Sequence, residues 1–501
     1  MIPRNEQETK ECTDAKMLEL QKLKDFDTYE EIYDEGQDCI SSRWVLWKKG
    51  VKLDEVRARL VACGFEEEEE IQSDSPTLSK AGFRTILATA ASKNWKIETT
   101  DFKSAFLQGS AVDRTIYLKP PKEAGANGKV WKLKKALYGL KDAGCQWFFR
   151  VRTHLLDSGC VQSDLDPGLF LWKDKLGNVA GVIGLHVDDF LHCGNEEFDR
   201  VIIDNVSNTF LVGKRERGSF MYTGFSITQD AKRIFVDQNQ YMASLDLPEI
   251  ENNRVIEKKT ALNQLEKTKL RKMAGSLNWL VRGTRPDKSF ELILASTKFQ
   301  NGCIEDLTRI RKILCYLKES RAELVFPNLG DPTNWKILCF TDASLGNLNE
   351  GRDSTGGHLL LLWNQLTKNC STIDWQSNKI KRVVRSTLSA ETLSLCDGLE
   401  NALLIRDLLH SIWNKHRKVP IIGIVDNLSL VESVSSTTSV SDKRLRRDIG
   451  AIKEMLDSGD VSQLKWVPGD QQLADILTKQ GVNDSGVLKI CWEGQFNALT
   501  F

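Results

Sequence analysis

The stretch VIGLHVDDFLHCG, residues 182–194, decides how the chain reads, because it sets two adjacent carboxylates, Asp188 and Asp189, inside an otherwise apolar run. The pattern over 179–191 predicts a buried strand or hairpin. A tight turn would account for the acids, since Asp tolerates turn geometry and bonds its own backbone. A metal site is the sharper alternative. Two acids held near apolar walls repel each other unless a cation neutralises them, and hard cations such as Mg2+ prefer carboxylate oxygens. The choice rests on the rest of the chain.

At 501 residues, 41% of them hydrophobic, the chain has room for roughly three or four domains with sizeable cores. Its 69 basic residues cancel its 69 acidic ones, so any polyanion is bound by local patches rather than by bulk charge. The twelve cysteines form no CxxC pair, which fits a reduced compartment and argues against a zinc module or a disulfide framework. The N-terminal MIPRNEQETKECTD is too polar for a signal peptide, and no apolar run reaches the length of a membrane span. The expectation is therefore an intracellular, non-secreted protein without a membrane partner, in the cytoplasm or the nucleus.

Elements of mixed period follow one another. Residues 15–34 read as a short helix and a loop, and SSRWVLWKK with VRARLVACGF as two β segments joined by a charged turn. The acidic run 66–70 reads as a solvated loop. Helical patterns lie near 79–93, 143–157 and 196–211, and strands near 95–102, 169–172, 179–191 and 220–226. From 262 to 320 the chain is helix-dominated, and FPNLGDPTNW (326–335) marks a linker into a separate C-terminal domain. The fold class is α+β multidomain.

In that last domain four acids end predicted elements. Strand alternation puts Asp342 on the face of Leu338 and Phe340, and Asp426 on the face of Ile422 and Ile424. Glu391 shares a helical stripe with Leu388, Leu395, Leu399 and Leu403. Asp475 follows a Pro-Gly turn. Each alone reads as a cap, turn or edge residue. Together, a strand Asp, a helix Glu, a strand Asp and a late Asp match a clamp for two metal ions in phosphodiester hydrolysis, as in a nuclease of the ribonuclease H type.

The segments FTDASLGN, TIDWQSNKIKRVVRSTLSAET, VDNLSL and QLADILTK resemble the ribonuclease H region of copia-type (Ty/copia) retrotransposon Pol polyproteins. The upstream segments RWVLWKKG, VRARLVACGF, TTDFKSAFLQGS, ALYGLKDAG, HVDDF and MAGSLNWLVRGTRPDKSF resemble the reverse transcriptase of the same elements, in the same order. The resemblance covers about residues 15–480. It implies a right-hand polymerase followed by a ribonuclease H-like α/β domain: fingers and palm over 1–255, a mostly helical thumb or connection over 256–335, the ribonuclease H-like domain over 336–485 and a C-terminal tail over 486–501.

For the polymerase, the resemblance implies that Asp101, Asp188 and Asp189 hold two Mg2+ ions, with Mn2+ as a substitute. It places Arg57, Arg59, Phe102, Phe106, Tyr138, Gly139 and Lys141 around the nucleotide, Phe106 as a steric gate against the ribose 2′-hydroxyl. Arg suits phosphate because its planar fork donates two parallel hydrogen bonds. Asp342, Glu391, Asp426 and Asp475 would hold the second metal pair. Lys443, Arg444, Arg446 and Arg447 open an amphipathic helix with Leu445, Ile449 and Ile452 on one stripe. They read either as the edge of a packed helix or as contacts to hybrid phosphates. The implied partners are an RNA template, a DNA primer, dNTPs and an RNA–DNA hybrid. Two departures from the usual family pattern stand out: His186 where Tyr precedes VDD, and KDAGC in place of KQAPR. The rival reading is a decayed or domesticated copy that binds RNA or hybrid without catalysis.

Overall fold

The computed structural model describes residues 2, 7–48, 56–68, 70–320, 323–413, 418–438 and 440–497. The architecture is mixed α and β, with five sheets among the described residues. The central one is a six-stranded antiparallel sheet whose spatial order is 212–217, 96–102, 189–194, 179–186, 169–173 and 160–162. Strand Val179–His186 is buried along nearly its whole length, which is why its sequence is continuously apolar rather than alternating.

Helix Lys80–Lys93 covers this sheet. Its first turn is capped by the Ser79 hydroxyl, which accepts from the Gly82 amide, and it stops at Asn94 in the left-handed conformation. Residues 82–91 are all buried, as in a helix with protein on every side. Its outer side meets strand Cys370–Lys379 and helix Thr387–Trp413 of the C-terminal domain. One apolar core therefore runs from Ile97, Val182 and Leu191 through Leu87 to Leu338, Leu360 and Leu399.

The two β segments at 42–48 and 56–62 pair as expected; the charged turn between them lies outside the described residues. Residues 15–34 depart from expectation, with a helix at Lys10–Asp25 and an edge strand at Tyr29–Tyr33 paired to Lys129–Leu133. Around 196–211 the helix is broken by a π turn at Asp199–Ile203.

Helices Gln264–Gly283, Ser289–Ser296 and Ile304–Glu319 form a unit with its own core of Leu270, Leu277, Ile310 and Leu314. This unit is an insertion in a sheet. Strand Glu323–Pro327 pairs with Arg233–Asp237, closing a four-stranded sheet begun at Ser219–Tyr222. The C-terminal domain holds a five-stranded sheet ordered 370–379, 353–364, 335–348, 421–425 and 463–466, with the last two strands added in parallel. Of the segment expected as a tail, the described part up to 497 is folded: helix Ser485–Glu493 buries Val487, Leu488, Ile490 and Cys491, and Phe496 packs on Phe340. No helix among the described residues is long and apolar enough to cross a membrane.

Candidate active sites

The hairpin formed by Val179–His186 and Asp189–Gly194 presents the two acids at its tip. The neighbouring strand Lys96–Phe102 runs antiparallel to Asp189–Gly194, so that Asp101 stands opposite Asp189. The Phe102 amide donates to the Asp188 carbonyl at 3.0 Å. Val187, between His186 and Asp188, holds a left-handed φ of 55° that a β-branched residue rarely adopts, and the Trp147 indole N–H donates to its carbonyl at 2.8 Å. Gly213 on the flanking strand leaves room for the Asp101 carboxylate, which any Cβ there would strike. Burial, with Asp188 and Asp101 alongside, pushes Asp189 up to about 7. Burial pushes the His186 imidazole below its usual value against the pull of Asp188, and its ring sits 6.5 Å from that of Tyr222.

The residues expected around the nucleotide fall into four groups. Arg59, Tyr138 and Phe106 come together: the Arg59 guanidinium lies 3.9 Å over the Tyr138 ring, and the Phe106 ring is 5.2 Å from it. Arg57 lies one alternation away on the same strand, opposite Trp47 and exposed. Gly139 and Lys141 have structural partners. Gly139 takes a φ of 93° beneath the Ala62 carbonyl, and the Lys141 ammonium donates to the Glu67 carbonyl at 2.6 Å. Phe102 corrects an expectation. It is 2% exposed among Trp147, Phe190 and Phe210, because strand alternation turns it to the face opposite Asp101. The altered KDAGC loop also has a partner, since Arg114 makes two bonds to the Asp142 carboxylate at 2.7 and 3.0 Å and bridges it to Glu67.

In the C-terminal domain Asp342, Asp426 and Asp475 converge, each with a ligand oxygen within 4.8 Å of the others'. Among the described residues Asp101, Asp188 and Asp189 do not reach that closeness. Burial, followed by the charges of Asp342 and Asp426, pushes Glu391 up to about 9, and its Oε2 is buried with no hydrogen-bond partner. Burial also raises Asp342, to about 6, although Lys479 pulls it back. The Lys479 ammonium lies 3.2 Å from Asp342 Oδ1 and 2.7 Å from Asp475 Oδ1, and the Thr478 hydroxyl donates to Asp342 Oδ2. An orphaned buried carboxylate oxygen beside three converging carboxylates is a hard, all-oxygen donor set, which fits a divalent cation of the Mg2+ or Mn2+ kind.

Sequence reading overlooked Thr478 and Lys479, although Asp475 and Lys479 have the i, i+4 spacing that pairs charges on one helical face. Lys443, Arg444, Arg446 and Arg447 lie exposed on the outer side of helix Lys443–Asp457, whose Leu445, Ile449 and Ile452 are buried.

Residues 27–258 match the family described as "Reverse transcriptase (RNA-dependent DNA polymerase)". The chain is 28% identical over 465 residues to the retrovirus-related Pol polyprotein from transposon RE1 of Arabidopsis thaliana, covering 88% of this chain and 30% of that relative. It is 26% identical over 496 residues to the Pol polyprotein from transposon TNT 1-94 of Nicotiana tabacum, covering 93% and 36%. The chain thus spans about a third of the length of these relatives. The structure of the foamy viral protease-reverse transcriptase in complex with an RNA/DNA hybrid shares the fold, with a TM-score of 0.52 at 13% identity over 95% of this chain and 56% of that one. Residues 27–258 thus form a domain of the reverse transcriptase family, in a chain related along most of its length to the Pol polyproteins of copia-type retrotransposons.

Proposed function

We propose that the chain is an RNA-directed DNA polymerase with a linked ribonuclease H, each site using two Mg2+ ions, or Mn2+ in their place. The observation that carries this reading is the pair of acid clusters built from distant segments of one chain, one on a reverse transcriptase-family hairpin and one at the end of a ribonuclease H-like sheet. Asp101, Asp188 and Asp189 would hold the first metal pair and Asp342, Glu391, Asp426 and Asp475 the second. Bound there, the cations would lower the pKa of the attacking hydroxyl or water and neutralise charge on the reacting phosphate.

The chain's own residues supply binding and shape. Arg59, held flat on Tyr138, presents a guanidinium edge suited to a triphosphate, and Phe106 beside Tyr138 would crowd a ribose 2′-hydroxyl. Lys443, Arg444, Arg446 and Arg447 would meet hybrid phosphates without reading sequence. The substrates are then an RNA template, a DNA primer and dNTPs at the first site and the RNA strand of an RNA–DNA hybrid at the second. The foamy viral enzyme of similar fold was solved with such a hybrid.

The test is a Mg2+-dependent primer extension on RNA alongside cleavage of a labelled hybrid, comparing the wild type with Asp188→Asn and Asp342→Asn. Extension should fail in the first variant alone and cleavage in the second alone. A wild type that binds hybrid and performs neither reaction would overturn the proposal in favour of a binding protein.

A further inference from the structure

Arg84 sits in the second turn of helix Lys80–Lys93, 2% exposed, at a point where three parts of the chain meet. Its Nη2 donates to the carbonyls of Arg282 and Gly283 at 2.6 and 3.1 Å. These carbonyls end helix Gln264–Gly283, where the last turn leaves acceptors unpaired and the helix dipole favours a cation. Its Nη1 donates to the Ile373 carbonyl at 3.1 Å and lies 3.5 Å from Asp374 Oδ1, both on strand Cys370–Lys379 of the C-terminal domain. The guanidinium also stacks 3.8 Å over the ring of Trp375, whose indole N–H donates to the Val281 carbonyl at 3.0 Å. One planar fork therefore ties the polymerase helix, the end of the inserted helical unit and the hydrolase sheet.

The polar chain continues in both directions. Asp374 Oδ2 lies 3.1 Å from His358 Nε2, and His358 Nδ1 lies 3.5 Å from Asp397 on helix Thr387–Trp413, the helix that carries Glu391. His358 follows Gly357, which stands opposite Asp342 in the sheet. On the polymerase side, the Ser79 cap is fixed by Asp166, and the Leu78 amide donates to Leu185 at 2.8 Å, one residue before His186. Buried, hydrogen-bonded charge of this kind has one good geometry, because every alternative leaves a desolvated donor or acceptor unpaired.

We propose that Arg84 is a positioning residue that holds the two acid clusters at one fixed spacing, so that a hybrid is cut at a set distance behind the primer 3′ end. The statement about cutting rests on the function proposed above. A guanidinium is needed because three carbonyls, a carboxylate and a ring face meet one rigid plane, which an ammonium cannot match.

The test uses the full chain with Arg84→Met and Arg84→Lys, read in two ways. Calorimetry of the wild type should give one cooperative unfolding transition, which splits in Arg84→Met as the two catalytic parts unfold separately. Mapping of cuts on end-labelled RNA, in a hybrid with a fixed primer 3′ end, should give a narrow cluster for the wild type. That cluster should spread about twofold or more in Arg84→Met and less in Arg84→Lys. Should Arg84→Met not fold, Trp375→Phe, which removes the indole bond to Val281 and shrinks the ring face under Arg84, carries the same comparison. Fewer cuts at unchanged positions would overturn the proposal, as would a single transition in the Met variant. If the wild type cuts no hybrid, the function proposed above fails and calorimetry alone judges Arg84.

Discussion

Asp101 and Asp189 stand directly across the ladder from each other, on adjacent antiparallel strands. That register puts both carboxylates on one face, and burial already holds Asp189 near neutrality, up to about 7. Removing the charge at Asp188 or Asp189 should therefore cut RNA-templated extension by at least about 100-fold, since even outer-shell partners of a metal are worth 10- to 100-fold. Hybrid cleavage should be retained. Steady-state rates for Asp188→Asn and Asp189→Asn, with each reaction measured separately, check this.

The acids of the C-terminal cluster give a pH dependence of stability. Glu391 is raised from an ordinary 4.5 to about 9, so folding favours its protonated form; that stability is full below about 4.5 and is lost as pH rises toward about 9. Without metal, the melting temperature of the wild type should fall relative to Glu391→Gln between about pH 5 and 9. Added Mg2+ should reverse the trend, because it binds the ionised carboxylates. Melting curves of both proteins with and without Mg2+ decide the matter, and parallel pH profiles for the two would contradict it.

Phe106 packs against Tyr138 beside Arg59. Trimming it to Val should admit ribonucleotides, reducing the preference for dNTPs by about 10- to 100-fold, the range a steric pocket achieves against one hydroxyl. Competing single-nucleotide incorporations of dNTP and rNTP give the ratio. Unchanged selectivity would make Phe106 a plain packing residue.

Val187→Gly should separate strain from activity. Left-handed backbone at a non-glycine residue costs about 1–2 kcal/mol, of which glycine's extra chain entropy returns about 0.5–1. Stability should therefore stay level or rise slightly. Extension should nevertheless slow, since the strained tip holds the backbone between His186 and Asp188. Denaturant melts paired with extension rates test both halves.

Asp342, Asp426 and Glu391 stood out in the sequence because side-chain periodicity puts them on inward-facing rows, whereas the grouping of Asp101 with Asp188 and Asp189 rested on the resemblance. Helix Ala143–Asp157 and helix Lys80–Lys93 were legible through periodicity as well. Strand Tyr29–Tyr33 was not, because YEEIY lies on a sheet edge, with no apolar alternation to mark it. The resemblance put Phe102 with the nucleotide residues, but neighbouring strand residues face opposite ways, so Phe102 turns away from the face of Asp101. Arg84 was invisible because its partners lie about 200 to 290 positions away, and nothing local distinguishes a buried keystone from a solvated Arg.

The pairing of Arg233–Asp237 with Glu323–Pro327 across the inserted helices also bears on synthesis. Until the later strand emerges from the ribosome, the earlier one presents a bare row of amides and carbonyls, a template for pairing with another chain. A product that stops at 258, where the family match ends, never acquires its closing strand. It also leaves helix Lys80–Lys93 without the sheet that covers its outer side. The acidic hairpin at 179–194 would be whole in such a product, yet the polypeptide would be prone to aggregate: what looks like an accessory half of the chain acts as its lid against self-association.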